Sequence, residues 1–98
     1  MSATPWPPAE DLAALRAAID ALDEQLVRLL NERAACALAI GRAKHALGLD
    51  IYQPERERDV LDHVSAINQG PLDQTAIRRL FERIIDEARR LERVAQRG

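Results

Sequence analysis

Apolar residues recur at spacings of three and four from Leu12 to Leu47, with Leu12, Leu15, Ile19, Leu22, Leu26, Leu29 and Ile40 on one stripe. That period is the mark of an amphipathic helix. No proline falls between Ala9 and Asp50, Gly41 is the one interruption, and Gly48 supplies a stop. The pattern predicts a first helix of about 39 residues from Ala9, roughly 58 Å long. Ahead of it, Pro5, Pro7 and Pro8 mark residues 1–8 as a flexible arm. Pro54 announces a second helix, with Glu55 and Glu57 in the first turn, where the helix dipole favours anions. Val60, Leu61, Val64 and Ile67 form its apolar face, and Asn68-Gln69-Gly70-Pro71 ends it. A third helix starts near Leu72 or Asp73, carries Ile77, Leu80/Phe81, Ile84/Ile85, Ala88 and Leu91, and fades at Arg97-Gly98. Residues 9–98 are thus expected to form a single all-α domain of one very long, one short and one intermediate helix.

The length of the first helix has a consequence. A compact domain of this size has a radius of gyration near 13 Å. About 40 further helical residues cannot cover a helix of roughly 58 Å, and its stripe would stay partly wet. A second copy would cover it, so the pattern predicts an intertwined helical homodimer.

Composition narrows the function classes. The 98 residues are 47% hydrophobic and 31% charged, with a net charge of -2. Acidic and basic residues are interleaved, without the basic excess expected of a phosphate-binding surface, so nucleic acid is a poor partner. One cysteine excludes an intrachain disulfide and a cysteine metal cluster, and Cys36, mid-helix among alanines, reads as a small buried thiol. His45 and His63 lack metal-ligand spacing, so no metal site is expected. Met1–Pro8 does not read as a signal peptide, and no stretch approaches the ~20 apolar residues of a membrane span. The expected location is the cytoplasm.

The cations carry the chemistry. Of the 14 basic side chains of Lys and Arg, only Lys44 is a lysine. It follows Arg33 by eleven residues, which on a helix turns it only about 20° and displaces it about 16 Å. Both lie on or beside the apolar stripe, where an unmatched cation is costly. Two long side chains leaning together across that span leave space for a small anion. Arg16 is about 25 Å from Arg33, too far to reach the same ligand within one chain, but an antiparallel partner could deliver it. Against this stands the bland alternative that all three reach solvent or pair with Glu32, Asp20 or Glu55. Two further features favour a site. Arg56 and Glu57 sit in the first turn of the second helix, and Glu92 follows Phe81, Ile85 and Ala88 on or next to the buried face of the third.

Taken in order, Leu15-Arg16-x-x-Ile19-Asp20-x-Leu22-Asp23, Leu30-x-x-Arg33, Ile40-Gly41-x-x-Lys44, Pro54-x-Arg56-Glu57, Leu80-Phe81 and Ile84-Ile85 resemble the all-helical class of chorismate mutases. The resemblance covers residues from about 12 to 92. It implies three helices per chain, an intertwined dimer with two active sites, and the Claisen rearrangement of chorismate to prephenate. That reaction is unimolecular and needs no metal, cofactor or covalent intermediate. By the same resemblance, Arg33 and Arg16 of the partner subunit would hold the substrate carboxylates through bidentate contacts. Lys44 would donate to the ether oxygen, Glu57 would accept from the C4 hydroxyl, and Arg56 would support the carboxylate or this network.

This chain departs from the family pattern at three places. Glu92 stands where many members have glutamine, although the fungal branch also carries glutamate. Ala88 replaces a serine of some members, and Gln53 occupies a loop position often held by aspartate. A glutamine amide donates to the ether oxygen at any pH, whereas a carboxyl donates only when protonated. Activity should therefore fall as rising pH ionises Glu92, and Glu92→Gln should flatten the profile. Two related reactions compete on this scaffold: isochorismate-pyruvate lysis, and rearrangement of 4-amino-4-deoxychorismate. Glu57 favours chorismate, because the lyase branch tends to have an apolar residue there. A helical dimerisation module without catalysis is the alternative of a different class.

Overall fold

The computed structural model describes residues 5–97, which form three helices and no strand: α1 (Leu12–Ala46), α2 (Pro54–Ile67) and α3 (Gln74–Arg97). The first half of the expected arm, residues 1–4, lies outside the described residues, and residues 5–11 form bends and a turn. α1 is 35 residues long. It begins later than its apolar pattern allows because Asp11 acts as its cap, its Oδ1 accepting from the Ala14 amide at 3.0 Å. Asp73 does the same for α3, accepting from the Ala76 amide at 2.7 Å. In both cases a side chain satisfies an amide that has no partner within the helix, and the cap fixes the boundary more sharply than hydrophobic periodicity can.

The chain divides into two compact units, Met1–Glu32 and Arg33–Gly98, with the boundary inside α1. In the first unit no described side chain is buried. Leu12, Ile19, Leu22, Leu26, Val27, Leu29 and Leu30 are all exposed. In the second unit α2 and α3 pack together. Arg78 of α3 fastens them by donating to the Ser65 hydroxyl at 3.0 Å and to Asp62 Oδ1 at 3.3 Å. Asn68 and Gln74 tie the turn between them, Asn68 Nδ2 donating to Leu72 O and Gln74 Nε2 donating to Ser65 O, both at 2.7 Å.

The buried interior of the second unit is small. Ala37 and Val64 are its buried apolar side chains, and Glu92 is buried too, at 6% exposure. A carboxylate in such a place must be explained by what surrounds it. Among the described residues, no helix is long and apolar enough to cross a membrane.

Candidate active site

The end of α1 sets one wall of the site. Gly48, at φ 70°, turns the chain after the helix, and the Leu49 amide donates to Lys44 O at 2.8 Å. This brings the following segment back over the helix end, where Lys44 Nζ donates to Ile51 O at 3.1 Å. The ammonium is thereby held on one side, and two of its three hydrogens remain to be used. Pro54 then starts α2 at a position where its missing amide hydrogen costs nothing, and Glu57 follows in the first turn.

Glu92 of α3 meets α1 at Gly41. A Cβ at residue 41 would stand 3.0 Å from Glu92 Cγ and 3.4 Å from its Cδ, so a side chain there would crowd Glu92, and glycine lets the carboxyl-bearing chain lie close against the helix. Glu92 Oε2 is buried and has no hydrogen-bond partner. Lys44 Nζ stands 3.7 Å away, near enough to match its charge and too far for a hydrogen bond. Buried acceptors without a donor are uncommon in folded proteins. The pair has unused valences on both sides.

A second pair faces the first. Arg89 Nη2 donates to both oxygens of Glu57, at 2.5 and 2.6 Å. The guanidinium carbon also lies 4.9 Å from the centre of the Tyr52 ring, a favourable stacking distance. Asp86 Oδ1, 3.6 Å from the same nitrogen, adds a weaker contact.

Between these pairs lies a cavity of about 300 Å³, at the lower end of the range for small-molecule sites. Arg33, Lys44, Gln53, Arg56, Glu57, Ala88 and Glu92 all line it, with Ile40, Ile51, Val60 and Ile85 supplying apolar wall. Among the described residues, Arg33 and Arg56 make no ion pair. Two unpaired guanidiniums and a lysine at one small cavity make a receptor for an anion. Arg16, in the first unit, is exposed and is not among the lining residues.

Two findings differ from the sequence-based expectations. Cys36, expected to be buried, is exposed and lines the cavity. Arg89 was not foreseen as part of the site. The signal was present, since it follows Ile85 by four and precedes Glu92 by three, on the same face of α3.

Residues 15–93 match the family model for chorismate mutase type II. The chain belongs to that family. It is 44% identical over 88 residues to the bifunctional chorismate mutase/prephenate dehydratase of Pseudomonas aeruginosa, a match covering 85% of this chain and 24% of that protein. It is 28% identical over 85 residues to the chorismate mutase of Methanocaldococcus jannaschii, covering 86% of each. Among solved structures it is similar to Form II of the chorismate mutase from Thermus thermophilus. The TM-score is 0.82 at 38% identity, with 84% of this chain and 93% of that one covered. The chain thus spans about a quarter of the length of the bifunctional relatives it matches, and nearly all of the Thermus chorismate mutase chain.

Proposed function

We propose that this chorismate mutase type II domain rearranges chorismate to prephenate, a step toward aromatic amino acids, in the cytoplasm. Residues 9–98 act as one catalytic domain, and the working unit is an intertwined homodimer. The observation that carries the reading is the Lys44–Glu92 pair, with its open valences, at a cavity that also holds the unpaired Arg33 and Arg56.

The substrate is a dianion that must fold into a compact, chair-like shape while its ether C–O bond breaks and a C–C bond forms. No group on the protein need bond to it. Catalysis rests on holding that shape and on stabilising the negative charge that grows on the ether oxygen. Arg33 grips one carboxylate, and Arg16 of the partner subunit grips the other, with Arg56 in support. Glu57 accepts from the C4 hydroxyl. Lys44 donates to the ether oxygen from one side and protonated Glu92 donates from the other. An oxygen about 2.8 Å from each closes a triangle on the 3.7 Å separation of Nζ and Oε2. Gln53 and Ala88 complete the walls around the bound molecule.

The dimer draws its support from the first unit, whose apolar side chains are exposed along α1. Such a stripe is a surface that association would bury.

Incubation with chorismate, isochorismate and 4-amino-4-deoxychorismate tests the substrate, with prephenate from chorismate as the expected product. Preferential release of pyruvate from isochorismate would overturn the mutase reading. Mixing tests the shared site. Arg16→Ala and Lys44→Ala chains are each inactive alone, and after co-refolding they recover about a quarter of wild-type activity, because half the dimers carry one intact site. No recovery in mixtures shown to contain mixed dimers would place Arg16 in its own chain's site or in none.

A further inference from the structure

Resting on the reading above, we infer that Arg89 is a positioning residue that also sets specificity: it makes the Glu57 subsite select a neutral hydroxyl over a cationic amine. The grounds are geometric. One nitrogen of Arg89, which lines the cavity beside Glu57, takes both of its oxygens, so the carboxylate is already held and cannot turn freely toward a ligand. The guanidinium is itself held on the Tyr52 ring. It keeps this position although its Nε is buried with no hydrogen-bond partner. Both charged side chains are largely shielded, at 20% and 25% exposure.

A group arriving at Glu57 from the cavity therefore meets a carboxylate whose charge is already matched. A hydroxyl loses nothing by this, since it needs only a fixed lone pair, and each oxygen keeps one to offer. An ammonium fares differently. Its attraction to Glu57 is opposed by the guanidinium beside that carboxylate, at the same cavity wall, where water screens poorly. A bare glutamate would welcome the cation. The Glu57–Arg89 pair does not, and the discrimination follows from a residue that need not touch the substrate.

The test compares kcat/KM for chorismate and 4-amino-4-deoxychorismate, in the wild type and in two variants, across pH. Arg89→Met removes the charge at similar length, and should move the ratio toward the amine at least tenfold at neutral pH, mainly through a lower KM for the amine. Arg89→Lys keeps the charge but not the grip on two oxygens. It should hold the ratio within about threefold of wild type while lowering kcat for chorismate. In the wild type the ratio should rise toward the amine as pH increases and the ammonium loses its proton. A free-enzyme ionisation such as that of Glu92 cancels from a ratio of kcat/KM values, so this arm can overturn the inference even if Arg89→Met does not fold, and Arg89→Gln then replaces it as the charge-removing variant. Equal losses for both substrates in Arg89→Met, or a wild-type ratio that stays flat or falls with pH, would show a purely structural residue. A wild type that turns over neither compound would overturn the chorismate reading and this inference together. Turnover of chorismate with unmoved ratios overturns this inference alone.

Discussion

Arg89 and Glu57 meet at 2.5 and 2.6 Å, stacked on an aromatic ring, while Lys44 and Glu92 face each other at 3.7 Å with no hydrogen bond between them. Both are ion pairs of one cation and one glutamate, and both line the same cavity. Burial does not rank them as their geometry does. Glu92 is the more buried glutamate, at 7% side-chain exposure against 25% for Glu57, yet it is the less satisfied. A pair made only for stability would close, because each unmade hydrogen bond in a shielded place costs about 1–3 kcal/mol. An incomplete pair is what a site needs if a ligand atom is to complete it. On the proposed mechanism, the closed pair sets geometry and the open one is left for chemistry.

That contrast can be broken at its strongest point first. Lys44→Ala should lower kcat by about 10²–10³, or roughly 2.7–4 kcal/mol, the usual cost of losing one donor to a developing oxyanion. Its helical circular dichroism and the proposed dimer should persist, since Lys44 holds the fold by one hydrogen bond and one open contact to Glu92. Loss of structure in step with activity would make the open pair a structural one. Next in size is the pH effect. A carboxyl donates only in its protonated form, so if Glu92 serves as the donor, activity should fall as pH rises. Glu92→Gln should remove that limb and retain turnover at alkaline pH, and a wild-type profile flat from pH 5 to 8 would remove Glu92 from the mechanism. The smallest effect belongs to the closed pair's stability. Arg89→Met should cost about 1–2 kcal/mol in a denaturant titration, the value of charged hydrogen bonds discounted for partial exposure.

The sequence made the helices legible because their apolar spacing and stops are local. It missed the start of α1 by three residues, because Asp11 as cap is a hydrogen-bonding choice that periodicity does not encode. Glu92 could be placed on a buried face by counting turns, and it is buried. Its seat against Gly41 could not be read, because that contact joins residues far apart in the chain. Arg89 escaped for a related reason: its spacing put it on the face of Ile85 and Glu92, but its partner Glu57 lies on another helix and becomes visible only in the fold. Cys36 was misjudged because neighbouring alanines say little about which face of a helix is covered.

The missing side chain at Gly41 has a consequence for how such a site can change over generations. The space it leaves fits the outline of Glu92, and glutamine has the same outline. The two residues differ by one codon letter. On the proposed mechanism, a lineage can therefore trade a carboxyl donor for an amide donor in a single mutational step, with no repacking of the helices around it.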